Sequence, residues 1–263
     1  MDASEMAKAL LLRVDPETAL NLPRPHAGQQ RILAEAARFN VVAAGRRWGK
    51  NVLAEILVIR ALLAGKRVAW FSPTYKMLLE DWRSFVGRLA PVTRAKSEQE
   101  HRIELTTSGV LDMWSLDEPD TTRGRGYHLV VVDEAAYVKD LFYAWGRVIQ
   151  PMLSDYAGAA WFISTPAGFD GFYTLYEWGQ DPEKPEWHSW QRSVTENPHL
   201  REDFATLELR VRSRLAGGRS CQVPSRRTGS ILSRVRSGDP RVRAVRDSCG
   251  LAAVRGARLR LQS

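Results

Sequence analysis

The sequence predicts an α/β fold in which helices flank a mostly parallel central sheet. Short apolar runs typical of strands alternate with stretches whose apolar residues recur at helical spacing. A glycine-containing loop with a lysine separates the first apolar run from a helix, and a later apolar run ends in two acidic residues. Because the carboxyl ends of parallel strands meet at one edge of a sheet, these two features predict a common site.

Each predicted element rests on a local pattern. Apolar residues from Met77 to Leu89 recur at helical spacing, and apolar and polar residues alternate on both sides of Ser108-Gly109, which predicts a hairpin. In chain order we predict a lead-in helix over residues 1–22, a helix over 29–37, a strand at 41–42, a helix over 52–59, a strand over 67–72, a helix over 77–89, hairpin strands over 101–106 and 110–115, strands over 129–132 and 159–163, an aromatic and loop-rich segment over 171–199, and a helix from residue 201 toward 211.

Composition indicates an ordinary globular chain. The 263 residues are 44% hydrophobic and 26% charged. Apolar runs stay well short of the roughly 18–20 residues of a membrane span, and the N-terminus lacks the basic start and apolar core of a signal peptide, so we expect a cytoplasmic protein. The two cysteines, Cys221 and Cys249, predict neither a disulfide framework nor a zinc site.

Residues 43–51 read AAGRRWGKN and lie between an apolar run and a helical pattern. A strand, a glycine loop with a lysine and a helix together predict a phosphate-binding loop. Glycine lets backbone N–H groups turn toward phosphate oxygens, and Lys50 reaches the terminal phosphates. The strict motif, G-x-x-x-x-G-K followed by Ser or Thr, is broken at Ala44 and Asn51. The alternative is an ordinary strand-to-helix turn with a solvated lysine.

Gln29 follows a loop punctuated by proline and glycine, just ahead of this segment. Its amide carries a donor and an acceptor and can therefore bind the edge of an adenine in two places. The alternative is a simple loop leading into a helix.

Two later strands end in polar residues. Residues 129–132 lead into Asp133 and Glu134, 83 residues after Lys50. The aspartate can hold Mg²⁺ through water, and the glutamate can orient and deprotonate an attacking water, which is the Walker B arrangement. With the Walker A-like loop it predicts ATP hydrolysis. The strand over 159–163 ends in Ser164-Thr165-Pro166, whose hydroxyl groups can sense the terminal phosphate.

These motifs occur in one order and together resemble a known family. They are Gln29, the loop over residues 45–50, Pro73-Thr74-Tyr75, Arg123-Gly124, residues 132–136, and Ser164-Thr165-Pro166 with Gly168. Over roughly residues 20–210 the chain resembles the ATPase half of a tailed-phage terminase large subunit, the motor that packages double-stranded DNA into capsids. The resemblance implies a P-loop NTPase fold of the RecA/ASCE-like type.

The resemblance implies roles for individual residues. Nucleotide would contact Gln29, Gly45, Arg46, Arg47, Trp48, Gly49, Lys50 and Asn51. Lys50 would bind the β- and γ-phosphates of ATP, Asp133 would hold Mg²⁺, Glu134 would be the catalytic base, and Ser164, Thr165 and Pro166 would couple phosphate loss to DNA movement. Arg46 would sense phosphate. Arg123 would be a finger inserted into a neighbouring subunit's site, where such an arginine raises rates by roughly 10³–10⁵; the alternative is a solvated loop arginine.

The resemblance also implies partners. The chain, a monomer in isolation, would assemble as a homo-oligomeric ring on the portal protein, with a small terminase subunit selecting the double-stranded DNA. It would act in the cytoplasm of a bacterial host and transiently at the portal vertex of the procapsid, and no membrane is implied.

The sequence departs from the family at Asn51, where Ser or Thr usually meets Mg²⁺. An amide oxygen can still ligate a hard cation, so slow turnover is expected.

The second departure begins near residue 210. Residues 210–263 hold fourteen arginines against two aspartates, a net charge of +12, whereas the other 209 residues hold 24 basic and 28 acidic side chains, a net charge of −4. We therefore predict an ATPase domain over residues 1–209, with an aromatic-rich extension over 168–209, and a disordered tail over 210–263. A nuclease domain of the family would need clustered carboxylates and is expected to be absent.

The tail has two interpretations. It is an out-of-frame translation of nuclease-coding DNA, or it is a genuine basic tail that binds DNA phosphates nonspecifically. Two rival functions also stay open: a helicase-type P-loop ATPase dependent on DNA, and a non-catalytic prophage remnant that only binds nucleotide.

Overall fold

Eight strands form one sheet in the order β3-β4-β5-β2-β6-β7-β1-β8. The computed structural model describes residues 20, 22–122, 124–168 and 170–200. The strands are β1 Phe39–Ala44, β2 Arg67–Ser72, β3 Thr93–Ser97, β4 Arg102–Leu105, β5 Val110–Ser115, β6 Leu129–Val132, β7 Ala159–Ser164 and β8 Trp187–Arg192. In the sheet, all neighbouring pairs along β5-β2-β6-β7-β1-β8 are parallel, and β4 pairs antiparallel with both β3 and β5. The predicted α/β fold with a mostly parallel sheet is confirmed.

Helices cover both faces of this sheet. They are α1 Ala27–Ala34, α2 Lys50–Leu63, α3 Tyr75–Leu89, α4 Leu141–Tyr143, α5 Gln150–Met152 and α6 Gly171–Trp178, with a π-helix over Ala144–Ile149 between α4 and α5. Alternate residues of β1 pack on opposite faces. Val42 and Ala44 join a core with α2 and α3, whereas Val41 and Ala43 join a second core with α4, α5 and α6. A parallel sheet needs such cover because both of its faces are apolar.

The predicted hairpin is confirmed, and tertiary structure extends it. Strands β4 and β5 pair antiparallel as expected. β5 also pairs parallel with β2, and the short strand β3, which the sequence pattern did not predict, adds an edge beyond β4. The hairpin is thereby part of the main sheet.

The prediction of a loop-rich segment over residues 171–199 is wrong. This segment contains α6 and the edge strand β8, which pairs parallel with β1 along six residues. The strand β8 lacks the alternation of buried and exposed residues that is typical of strands. Ser189 and Trp190, which are consecutive, are both buried, and the four other residues are half-buried. Pairing with β1, which lies more than 140 residues earlier in the chain, determines the strand.

The helix predicted over residues 29–37 also ends earlier, at Ala34. Asn40 bonds both backbone groups of Ala37, accepting from its N–H at 2.9 Å and donating to its carbonyl at 2.8 Å. These bonds replace a further helical turn. The helix predicted from residue 201, the tail over 210–263 and nearly all of the lead-in over 1–22 lie outside the described residues. Within the described ranges, no helix is both long and apolar enough to cross a membrane.

Candidate nucleotide-binding site

The predicted phosphate loop joins the end of β1 to the start of α2. Arg47 and Gly49 both adopt left-handed backbone conformations, with φ of 62° and 101°. Such residues next to right-handed ones curl a backbone so that successive N–H groups face a common concave side, where an anion binds. Gly49 is required for a second reason, since a Cβ there would lie 2.8 Å from Nε2 of Gln29. The loop therefore has the local geometry expected of a phosphate cradle.

Gln29 lies behind this loop, with only 2% of its surface exposed. Its Nε2 donates to the Gly49 carbonyl at 2.8 Å, and its Oε1 accepts from the His26 N–H at 3.0 Å. Both ends of the amide are thus engaged with backbone. The adenine contact stays a prediction, and the contact present in this structure is with the loop itself.

The three other side chains of the loop differ in exposure. Trp48 is fully buried in the core that contains α2, and its ring packs edge-on against His26 at 5.0 Å. Its contribution to a nucleotide site would therefore come from its backbone. Arg46 and Arg47 are exposed.

Lys50 links the loop to the acidic end of β6. Its Nζ lies 2.8 Å from Oε1 of Glu134, and the two side chains are 9% and 19% exposed. Glu134 has φ of 45° and ψ of 44°, a left-handed conformation that costs a residue with a Cβ about 1–2 kcal/mol. Strained backbone of this kind persists where surrounding structure holds it and is common at functional sites. The structure thus brings together the predicted phosphate ligand and the predicted base.

Asp133 and Asn51, the predicted metal ligands, are also neighbours. Nδ2 of Asn51 donates to Oδ2 of Asp133 at 3.2 Å, and Oδ1 of Asp133 accepts from the Glu134 N–H at 2.9 Å. Burial raises the pKa of Asp133 to about 7, helped by the negative charges of Asp81 and Glu134 and opposed by Lys50.

The donor set tests whether a cation fits here. A carboxylate and a side-chain amide, which presents its oxygen after rotation, are both oxygen ligands of the kind Mg²⁺ takes. Mg²⁺ usually keeps several waters and needs only one or two protein ligands. The described residues contain no group of three His, Cys, Asp or Glu placed to hold an ion. Asp133 with Asn51 therefore fits Mg²⁺ bound together with phosphate, rather than a closed all-protein cage.

The predicted coupling residues contact the predicted base. Oγ of Ser164 donates to Oε2 of Glu134 at 3.2 Å and accepts from the Ala136 N–H at 3.2 Å. The Thr165 N–H also lies 3.3 Å from Oε2 of Glu134. Because β7 is the neighbour of β6, its end reaches the carboxylate directly. Pro166 follows and is half-exposed, and Arg123 lies outside the described residues.

Sequence reasoning missed one carboxylate near this site. Asp81 of α3 accepts hydrogen bonds from Nε1 of Trp70 at 3.0 Å and from Oγ of Ser72 at 2.9 Å. Burial raises the pKa of Asp81, and these hydrogen bonds oppose the rise. In the sequence Asp81 is one acid among the polar positions of a helix, so no pattern distinguishes it. Sequence reasoning also missed His26 and Asn197, which contact the phosphate loop. The spacing of His26 and Gln29, which is that of a helix capping box, was the one sequence signal for either residue.

Comparison with known proteins identifies relatives. No family model matches the chain. The chain is 29% identical over 176 residues to the terminase large subunit of Escherichia phage T5, covering 65% of this chain and 40% of that protein. It is 30% identical over 179 residues to the terminase large subunit of Thermus virus P23-45, covering 59% of this chain and 36% of that protein. The chain thus spans less than half the length of these curated relatives.

Solved structures share the fold. The ATPase domain of the large terminase from Thermus phage P74-26 superposes with a TM-score of 0.60 at 24% identity, covering 74% of this chain and 92% of that chain. The large terminase of a thermophilic bacteriophage, solved in complex with ADP, superposes with a TM-score of 0.52 at 17% identity, covering 74% and 48%. The resemblance and the fold class predicted from the motifs are confirmed. The chain is similar in sequence to phage terminase large subunits, and its described residues have the fold of their ATPase domains.

Proposed function

We propose that this chain contains the ATP-hydrolysing motor domain of a phage or prophage terminase large subunit, which couples hydrolysis to movement of double-stranded DNA into a capsid. One observation carries the proposal. Glu134 lies in direct contact with both Lys50 and Ser164, and the three residues come from three separate motifs at the carboxyl ends of parallel strands. The relatives are terminase large subunits, and one structural neighbour was solved with ADP, which supports nucleotide as the ligand.

The contacts suggest an order of events. In this structure Lys50 neutralises Glu134. The γ-phosphate of ATP would compete for the Lys50 ammonium and thereby free the carboxylate to act as a base. Glu134 would then accept a proton from water as the water oxygen bonds to the γ-phosphorus and the bond to the ADP oxygen breaks. Asp133 and Asn51 would hold Mg²⁺, which offsets phosphate charge when bound.

Ser164 and Thr165 would transmit this event to the DNA-moving parts. Both residues donate hydrogen bonds to the Glu134 carboxylate, which must reorient when ATP binds. Movement of this carboxylate would therefore shift the end of β7. Arg46 would sense phosphate, and Arg123 would act on a neighbouring subunit's site. The partners we propose are double-stranded DNA, a portal protein, a small terminase subunit, and further copies of this chain in a ring. The site of action would be the host cytoplasm and the portal vertex.

Activity of the full chain tests this proposal. Phosphate release from ATP, measured with and without double-stranded DNA, should be detectable and should be lost in Lys50→Ala and Glu134→Gln. The exposed residues Lys66 and Glu183 supply matched controls, and Lys66→Ala and Glu183→Gln should keep wild-type rates. ATP binding without any wild-type hydrolysis would instead support a non-catalytic remnant. Strand separation in an unwinding assay would support a helicase-type ATPase.

We also propose that the ATPase domain ends near residue 209 and that residues 210–263 are translated out of frame. The support is the abrupt change from a net charge of −4 to +12, together with the confinement of all nine tryptophans to the first part. Translation of the other two reading frames beyond codon 210 should give an acidic continuation with aromatic residues. If neither frame does, the segment is a genuine basic tail.

A further inference from the structure

We propose that three side chains, His26, Gln29 and Asn197, hold the phosphate loop in its binding conformation from outside, and that Asn197 is a positioning residue for the nucleotide site. The inference rests on the proposed function in one respect, namely that this loop binds phosphate. It adds Asn197, which belongs to none of the sequence motifs and lies 150 residues after Arg47 in the chain, to the nucleotide site.

Three consecutive carbonyl groups of the loop each receive a hydrogen bond from a different side chain. The Arg47 carbonyl lies 2.7 Å from Nδ2 of Asn197. The Trp48 carbonyl lies 3.1 Å from Nε2 of His26, and the Gly49 carbonyl lies 2.8 Å from Nε2 of Gln29. All three donors are neutral groups in direct contact with backbone oxygen.

The hydrogen bonds of His26 determine its tautomer. Its Nδ1 lies 3.2 Å from the Gly28 N–H and must accept, so the ring proton is on Nε2. Nε2 therefore donates to the Trp48 carbonyl. The edge-on packing of the His26 ring against the Trp48 ring fixes its orientation further.

Asn197 has both amide atoms committed. Its Nδ2 donates to Arg47, and its Oδ1 accepts from the His199 N–H at 2.9 Å. Five residues earlier, the Arg192 carbonyl at the end of β8 accepts the Gly45 N–H at 3.2 Å. The segment over residues 192–197 is thus hydrogen-bonded to the loop at two residues, Gly45 and Arg47.

The direction of the carbonyl groups matters for phosphate binding. A peptide unit that points its oxygen outward points its N–H inward, and in the units held by His26 and Gln29 this N–H can bind an anion. In the unit held by Asn197 the N–H belongs to Trp48 and donates to the Gly45 carbonyl at 3.2 Å, so this bond fixes the turn that shapes the loop. An inward carbonyl would present negative charge to the phosphate. Arg47 is the weakest point, because a residue with a Cβ disfavours its φ of 62°, whereas Gly49 tolerates φ of 101°. The bond from Asn197 is therefore placed where the loop most needs support.

The first test needs no nucleotide. Hydrogen–deuterium exchange of the full chain should show faster exchange at loop amides 46–49 in Asn197→Ala than in the wild type, because the loop opens more often. Thr195→Ala is the matched control. Thr195 lies in the turn just before Asn197, and within the part of the chain that the structure describes it bonds only Ser193. Loop exchange in Thr195→Ala should therefore equal that of the wild type. Unchanged loop exchange in Asn197→Ala would overturn the inference.

The second test separates binding from chemistry. Asn197→Ala should weaken binding of a fluorescent ATP analogue by about three- to tenfold, the range of one lost neutral hydrogen bond, while kcat at saturating ATP stays within about twofold. Asn197→Asp keeps the shape but loses the donor, and should bind at least as weakly. A purely structural role would instead lower the melting temperature and leave the binding constant of the folded fraction unchanged.

The outcomes distinguish the two proposals. If the wild-type protein binds no ATP but loop exchange is still faster in Asn197→Ala, the proposed function is wrong and the support of the loop by Asn197 stands. Wild-type protein that binds ATP, with Asn197→Ala binding equally well, would overturn the positioning role alone.

Discussion

Two ionic clusters on the same sheet, Lys50–Glu134 and the group around Asp112, pair their carboxylates in opposite ways. The Asp112 carboxylate on β5 is fully buried and accepts from Nη1 of Arg102 at 3.1 Å, Nη1 of Arg125 at 3.1 Å and the Tyr127 hydroxyl at 2.9 Å. Glu134, by contrast, is partly exposed, and among the residues that the structure describes Lys50 is its one cationic partner.

The surroundings of the two carboxylates sharpen the difference. Asp112 lies in a regular strand. Burial, and then the charge of Asp112, raise the pKa of the Tyr127 hydroxyl, which therefore stays protonated as a donor. The Arg125 guanidinium also lies 4.9 Å from the Trp114 ring centre. Glu134 instead has left-handed backbone and shares its partner with the proposed phosphate. A buried carboxylate whose hydrogen bonds are all satisfied stabilises the packing of its strands. A carboxylate on strained backbone whose partner can be displaced by a ligand is suited to catalysis.

The largest effect should come from breaking the Lys50–Glu134 pair. Glu134→Gln removes the base but keeps the shape and a hydrogen bond to Lys50, so hydrolysis should fall by about 10²–10⁴-fold. The free energy of unfolding should fall by less than about 3 kcal/mol, the lower end of the range for breaking a buried ion pair, because glutamine still accepts a hydrogen bond from Lys50 and Glu134 is partly exposed. Steady-state phosphate release and urea unfolding measure both. Loss of fold without specific loss of activity would make Glu134 a structural residue like Asp112.

The cluster around Asp112 should respond in the opposite way. Asp112→Asn leaves two arginines facing a neutral amide, and should lower the free energy of unfolding by about 3 kcal/mol. The rate of hydrolysis per folded molecule should stay near wild type. Asp181→Asn, at a more exposed ion pair, is the control and should change stability by less than about 1 kcal/mol. If Asp112→Asn were stable but inactive, the two clusters would not differ in kind.

A smaller effect is expected at the contact between the third motif and the base. Ser164→Ala removes the hydroxyl that bonds Oε2 of Glu134 and the Ala136 N–H, so the carboxylate is less well fixed. Hydrolysis should fall by up to about tenfold while ATP affinity is unchanged. Ser154→Ala, at an exposed serine, should match the wild type in both measurements. Equal loss of affinity and rate would place Ser164 in binding rather than in coupling.

The smallest effect concerns Asn51. Asn51→Thr supplies the hydroxyl found in the strict motif, and turnover at saturating Mg²⁺ should be equal to or higher than in the wild type. Titration of Mg²⁺ at fixed ATP would show whether less metal is needed. A large loss of activity would mean that Asn51 does not fill the magnesium position and that its bond to Asp133 has another purpose.

Much of this site follows from local sequence. The strand over Arg67–Ser72 has the predicted bounds, and the strand ending before Asp133 was predicted from four consecutive apolar residues. Because parallel strands bring their carboxyl ends to one edge, the proximity of Lys50 to the acidic pair was also predicted. The direct bond between Lys50 and Glu134 was not, since it depends on the left-handed turn at Glu134.

The sequence by itself determined the order of the elements, the alternation of strands and helices, and the residue types available at the strand ends. These follow from propensity and periodicity, which act over a few residues. Tertiary structure alone decided that β8 lies beside β1 and that Asn197 reaches a carbonyl 150 residues away. Such contacts depend on which strands become neighbours, and the free energy that selects neighbours comes from burial of whole faces rather than from any local pattern.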